Sequence, residues 1–408
     1  MRVVLFTGKG GVGKTTLAAA TAAHLARTGR KSLAVSTDPA HSLGDALGAD
    51  LDAEPTEVDE GLYAAHVDAR GLVDGAWAGM QRHLQTMLAG AGVDELVADE
   101  VTVLPGVEEL LALSTVREYA ETGPWEVVIV DCGPTAETLR LLGLPEAVSG
   151  YLRRLFPAHR RAVRNLVAGL AGVGDAGQRW DDLAAAVDEL AARLTDLRGL
   201  LADPTRTSIR LVLTPERVVA AETRRTLTAL ALHGLCVDGL VVNRLLPVPP
   251  ASLRGPVARW LRERSAAQQA VLDQLAELGV PLRTADCAAV EPIGVPALRE
   301  LGQSVYGAED PLAGATPTPW LTVRRTAGSG TDLDSEFELV LRLPGVTDEA
   351  VDLARVGDEL AVTVGAVRRL VALPSVLRRC TVTGARVDET HGGELVVVFR
   401  PDPSVWMR

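Results

Sequence analysis

RVVLFTGKGGVGKTT, residues 2–16, is the stretch on which the fold turns. RVVLFT at 2–7 is an apolar run that Gly8 stops, and Thr15 to Arg27 reads as an Ala- and Leu-rich helix. A strand, a glycine loop and a helix in that order are the context in which GKGGVGKTT can cradle phosphate. Gly8, Gly10, Gly11, Val12 and Gly13 let backbone N–H groups turn inward around phosphate oxygens, and the helix N-terminus adds its dipole. Lys14 reaches those oxygens, the Thr15 hydroxyl ligates Mg²⁺ directly, and Thr16 is placed to donate to an outer phosphate. The implied cofactors are ATP and Mg²⁺.

The choice of cation supports that reading independently. Of 41 basic residues only Lys9, Lys14 and Lys31 are lysine, so 41 − 3 = 38 are arginine. Two of the three lysines stand in this one loop, where a compact ammonium fits and a broad guanidinium does not. The rest of the chain, 408 residues with 47% apolar and 23% charged, has a globular composition and room for two or three domains. A net charge of −12 argues against a non-specific nucleic-acid coat. No apolar run reaches the ~18 residues of a membrane span, and the start is a strand, not a secretory leader. The expectation is a cytoplasmic protein without a transmembrane segment, touching membranes only through a client or partner.

Outward from the loop, short apolar strands recur: LAVSTD (33–38), EVVIVDC (126–132), IRLVLTP (209–215) and GLVVNRLLP (239–247). Near-continuous apolar strands separated by helical stretches predict a doubly wound α/β domain with a mostly parallel buried sheet, over 1–309. Two helical insertions interrupt it, near 68–121 and 146–203. In the first, Trp77, Met80, Leu84 and Met87 or Leu88 share a helical face. In the second, Leu183, Val187, Leu190, Leu194, Leu197 and Leu201 form an a/d stripe. These stripes suit an internal helix pair or an apolar client groove. Residues 151–174 carry five arginines and no acid, which suits a solvated face, a surface for an anionic partner or a lid responding to nucleotide. From 310 to 333 the chain reads as a Pro/Gly-rich linker, and over 334–408 period-two strands predict a small all-β sandwich.

Two further strings carry chemistry. STDPAHSLGDAL (36–47) leaves the second strand with Asp38 at its ligand-facing end, where a carboxylate can polarise an attacking water. VVIVDCGPTAETLRLL (127–142) ends an apolar strand in Asp131, which suits Mg²⁺ held through water. Gly133, Pro134 and Thr135 then form a loop able to shift when a terminal phosphate leaves, with Pro39 its counterpart in the earlier string.

With Lys9 added, the loop resembles the deviant Walker A motif of the partition, Min, nitrogenase-iron and arsenite ATPases. STDPAHSL, DCGPTAETLRLL and PGVEELLALSTV (105–116) resemble one branch: the arsenite-pump ATPases and the ATPases that target tail-anchored proteins. The resemblance covers about 1–305. It implies a homodimer gated by nucleotide, in which Lys9 crosses to the partner's nucleotide as a cation delivered in trans. It also implies adenine contacts from Asn243 and from the loop EPIGVPAL (291–298), through Pro292 and Ile293.

FELVLRLPGVTDEAVDL, GDELAVTV, LVALPSVL and GELVVVFRP, within 337–401, resemble the α-crystallin domain of small heat-shock proteins. The short stretch between Val364 and Leu373 suits a p23-like sandwich and not an oligomerising module. The cysteines at 132, 236, 287 and 380 are never closer than 51 positions, with no CxxC. Soft-ligand capture of a metalloid and a zinc-stapled dimer therefore lack local support. The expected function is a Mg²⁺-dependent ATPase acting as a switched homodimer on apolar protein segments. The alternative is the ATPase subunit of an arsenite or antimonite efflux pump.

Overall fold

The computed structural model describes residues 1–38, 42–68, 107–133, 192–193, 195–313, 319–347, 351–388 and 393–406. Pro39, Pro134, Thr135, the Arg-rich stretch and most of both helical insertions lie outside these residues.

An eight-stranded sheet runs in the order β3-β4-β2-β5-β1-β6-β7-β8. Its strands are β1 (Arg2–Gly8), β2 (Ser32–Ser36), β3 (Thr56–Asp59), β4 (Leu62–His66), β5 (Val127–Asp131), β6 (Thr207–Leu213), β7 (Val237–Leu245) and β8 (Leu282–Asp286). Every pairing is parallel except β3 with β4 at one edge. β2, β5 and β6 are buried at every position, as expected of strands covered on both faces. β1 lies between β5 and β6, so residues leaving β1, β2 and β5 converge at one end of the sheet.

The helices of this domain include α1 (Lys14–Arg27), α2 (Ser42–Leu47), α3 (Val107–Thr122), α4 (Arg217–Leu232), α5 (Pro256–Ala276) and α6 (Val295–Tyr306). The alanines of α1 are buried, and small side chains there let α6 approach closely. A Cβ at Gly302 of α6 would stand 2.6 Å from the Ala20 carbonyl oxygen.

The fully buried Arg210 of β6 ties this side together. It donates to Asp238 at 3.1 and 2.8 Å, to the Tyr306 hydroxyl at 3.0 Å and to the Pro311 carbonyl at 2.9 Å. Tyr306 in turn shares a 2.7 Å hydrogen bond with Thr21 of α1. No helix among the described residues is long and apolar enough to cross a membrane.

The C-terminal region is two antiparallel sheets. One has the order β14-β15-β10-β9 and the other β11-β12-β13. The strands are β9 (Leu321–Ala327), β10 (Glu336–Arg342), β11 (Val351–Val356), β12 (Glu359–Val364), β13 (Val367–Ala372), β14 (Cys380–Asp388) and β15 (Glu394–Pro401), with a one-turn helix α7 (Ser375–Arg378). Leu339, Leu341, Leu360, Val362, Leu395, Val397 and Phe399 form its core.

The stretch 310–333 is not all linker. β9 lies within it and pairs with β10 from Leu321↔Leu341 to Ala327↔Glu336, so the first sheet begins before residue 334. Its mostly exposed pattern, with arginine at 324 and 325, hides a strand that its partner's hydrogen bonds define.

The sandwich rests on α4. Ala231 and Leu232 belong to its core, Thr228 Oγ1 donates to the Pro344 carbonyl at 2.7 Å, and Arg369 donates to the Leu232 carbonyl while stacking on Trp320.

Candidate functional site

The glycine loop spans 8–13 between β1 and α1 and stays close to neighbouring backbone. A Cβ on Gly8 would stand 2.1 Å from the Val212 carbonyl oxygen of β6, so only glycine lets the chain leave the strand there. Gly10 and Gly11 are exposed, Val12 is buried, and Thr16 is half-buried. Gly13 caps α1 in left-handed backbone (φ 93°), and the helix has neither a side-chain cap nor an acid in its first turn. Its N-terminal N–H groups and positive dipole end are thus left for an anion.

Lys14, the first residue of α1, is only 8% exposed, and its Nζ reaches the Lys9 carbonyl at 3.4 Å. A buried ammonium over a glycine loop, held by one long neutral contact, is arranged for a negatively charged ligand.

Beside it, Thr15 Oγ1 donates to Asp131 Oδ2 at 2.7 Å and lies 3.2 Å from the Ser42 hydroxyl of α2. Ser36 Oγ, at the end of β2, donates to the same Asp131 oxygen at 3.4 Å. The other carboxylate oxygen, Oδ1, is buried with no hydrogen-bond partner among the described residues. Burial pushes the Asp131 carboxyl up to about 6, against the lowering effect of the Thr15 hydrogen bond and Lys14. Asp38 adds to the rise, so its charge stands near Asp131. Asp38 is half-buried, with its backbone N–H on Ser36 Oγ at 3.2 Å.

The orphaned Oδ1 next to a threonine hydroxyl is a hard-oxygen donor set of the kind Mg²⁺ takes. The residues present fit that ion.

The structure therefore brings Lys14, Thr15, Asp131 and Asp38 to one end of the sheet. The half-buried Gly133 follows two residues after Asp131. Lys9 extends outward, and its Nζ lies 3.3 Å from Glu222 Oε2 of α4 in the same chain. Asn243, at the end of β7, touches the loop itself. Its Nδ2 donates to the Val12 carbonyl at 2.9 Å. Pro292 and the exposed Ile293 stand in a loop tied to α2 by the Gly294 N–H on the Ala46 carbonyl at 2.8 Å.

Sequence reasoning missed Ser36 and Ser42, although both stand in STDPAHSL. It also missed Glu222, which no local pattern marks. The cysteines are dispersed. Cys132 and Cys380 are buried, Cys236 is half-buried and Cys287 exposed, and burial pushes the Cys132 thiol far up. Among the described residues no group of three or more His, Cys, Asp or Glu could hold a metal ion.

Comparison with known proteins agrees with this geometry. The family model described as anion-transporting ATPase matches residues 1–307, and that of the HSP20-like domain found in ArsA matches 334–399. A protein of Mycobacterium tuberculosis is 40% identical over 424 residues, covering 99% of this chain and 97% of its own. Relatives in Prosthecochloris vibrioformis (34% identity, covering 92% of this chain and 90% of theirs) and Aquifex aeolicus (29%, 95% and 98%) are named provisionally as arsenical pump-driving ATPases.

Proposed function

Since the chain belongs to the anion-transporting ATPase family, we propose that it hydrolyses ATP with Mg²⁺ and works as a nucleotide-switched homodimer on apolar protein segments. The observation that carries the hydrolytic part is the Thr15–Asp131 pair with its unpartnered buried oxygen, set against Lys14 and the open N-terminus of α1.

Gly8, Gly10, Gly11, Val12, Gly13, Lys14 and Thr16 bind the phosphates. Thr15 holds Mg²⁺ directly and Asp131 holds it through water. When bound, Mg²⁺ neutralises phosphate charge and orients the transferring group. Asp38 takes the proton of the attacking water, and Lys9 supplies positive charge across the dimer, a device worth about 10³–10⁵ in rate in comparable NTPases. Pro39, Gly133, Pro134 and Thr135 belong to the segments that respond to loss of the terminal phosphate. Asn243, Pro292 and Ile293 lie toward the nucleoside.

The client half of the reading rests on the HSP20-like domain anchored on α4. A second reading, an ATPase that energises arsenite or antimonite export, is favoured by the names of the relatives. It asks for clustered thiolates, and the four cysteines form no metal-holding group among the described residues.

Asp38→Asn should keep nucleotide affinity and lose turnover by more than about tenfold. Normal turnover in that variant would remove the assignment of Asp38. Light scattering of the ATP-loaded variant with apolar peptides and with arsenite separates the two readings. Peptide bound only by the ATP-closed dimer supports a client switch. Arsenite-dependent closure without peptide binding supports the pump.

A further inference from the structure

A cleft of about 720 Å³ opens where the sandwich meets α4 and α5, and it shares no residue with the phosphate site. Its α4 wall carries Arg217, Arg224 and Arg225. Arg224 is half-buried and the other two are exposed. None of the three guanidinium groups has an ion-pair or hydrogen-bond partner among the described residues.

The neighbouring acids are engaged elsewhere. Glu222, the one acid of α4, pairs with Lys9 at 3.3 Å, and Glu216 at its cap pairs with Arg264 at 3.6 Å. No acid stands three or four residues on from any of the three arginines, where a helix would supply a partner. Glu277 also lines the cleft but lies beyond ion-pair distance of all of them. Three cations thus face one anion, in a chain of net charge −12. A partly desolvated guanidinium without a counter-ion is costly, and an arriving anion offsets that cost. Gly345 brings Arg224 there. Its backbone is left-handed (φ 77°), and a Cβ on it would stand 2.7 Å from Arg224 Cγ, so glycine lets the arginine stem run between α4 and the sandwich.

The spacing selects an extended ligand. Arg217 and Arg224 are two helical turns apart, about 10.5 Å along the axis, more than one phosphate or carboxylate spans. Ala220 and Ala221 between them leave room, and the opposite wall offers Val346, Val364 and Val367. At about 3.3 Å per residue, a strand-like chain presents every second side chain to one face and the rest to the other. Carboxylates two or four positions apart then meet the arginines while the alternate side chains meet the valines.

We propose that this cleft binds an extended protein segment in which acidic and apolar residues alternate, with its carboxylates on the arginines of α4 and its apolar side chains on the sandwich. The site does not depend on the ATPase reading.

Fluorescence anisotropy on the full chain without nucleotide tests it, using a labelled six-residue peptide that alternates glutamate and valine. Binding should saturate, and glutamine in place of glutamate should weaken it by about tenfold or more. Arg217→Gln and Arg224→Gln should each raise the dissociation constant by about tenfold, the loss of one charge-assisted contact. Arg217→Gln, at an exposed position, carries the test if Arg224→Gln fails to fold. Ala221→Leu keeps every charge, fills the cleft from an exposed helix position and should weaken the peptide by about tenfold as well.

No saturable binding by the wild type would overturn the proposal, as would equal affinity for the glutamine peptide. Unchanged binding by Ala221→Leu would reduce the effect to surface charge and overturn it too. A uridine hexanucleotide that binds more tightly than the peptide, through the same arginines, would make the cleft a nucleic-acid surface instead. ATP turnover, measured separately, should be unchanged in these variants. A wild type that binds the peptide and hydrolyses no ATP would remove the ATPase reading and leave the cleft standing.

Discussion

Asp131→Asn should make the ligand-free protein more stable while weakening its use of Mg²⁺. The carboxyl is pushed from an ordinary 3.8 up to about 6, with burial the leading cause. A folded-state value above the unfolded one means that the native state keeps a proton the unfolded chain has lost. Stability from this group therefore falls as pH rises from about 4 to about 6. Above that window the buried carboxylate costs its full amount. A shift of about 2.2 units at 1.36 kcal/mol per unit gives ~3 kcal/mol. Asparagine carries no charge, and its side-chain oxygen can still accept the Thr15 hydroxyl. In EDTA and without nucleotide, denaturant titrations should show the variant level with wild type near pH 4 and about 3 kcal/mol more stable at pH 8. Adding Mg²⁺ and ADP should reverse the order, because the wild type then gains binding energy that the variant lacks. A difference that is flat across pH, or a variant less stable at pH 8 without ligand, would refute the view that Thr15, Ser36 and Lys14 only partly offset the cost of burying the Asp131 charge.

The remaining predictions concern cations. Arg210→Met leaves Asp238 buried without its cation and strips partners from the Tyr306 hydroxyl and the Pro311 carbonyl. The expected loss is about 3–5 kcal/mol by urea denaturation, partly recovered by adding Asp238→Asn. A loss under ~1 kcal/mol would deny that the network holds β6, β7 and α6 together. Glu222→Gln removes the partner of Lys9 in an ion pair nearly half exposed on both sides, so its effect on stability should stay below about 1 kcal/mol. If Lys9 acts in trans, its release should speed ATP-dependent dimer formation in stopped-flow light scattering. Slower association would show that Glu222 supports Lys9 and does not restrain it.

What the sequence revealed follows from the range of the interactions involved. The phosphate loop is a local device: glycine punctuation, a lysine and a hydroxyl all stand within GKGGVGKTT, and the strand before it is apolar from Val3 to Phe6. The strands β2, β5 and β6 are buried at every position, so their own composition announces them. β9 and β14 do not announce themselves. β9 has five of seven residues exposed, β14 six of nine, and hydrogen bonds to β10 and β15 make them strands. Such an edge strand satisfies its backbone through a neighbour's sequence, so its own carries little apolar signal.

The same difference of range divides the candidate site. Thr15 and Asp131 were legible because each closes a local pattern, a loop in one case and an apolar strand in the other. Their 2.7 Å contact joins positions 116 residues apart. Arg210 looks like an error in the middle of IRLVL until Asp238, Tyr306 and Pro311 close around it, each supplied by a different segment. Asn243 reads locally as a strand-end turn residue, yet it lies inside β7 beside a break in register, and its bond to Val12 spans 231 residues. Motifs of this kind show which groups can do chemistry. Which neighbours aim those groups depends on how the sheet is wound.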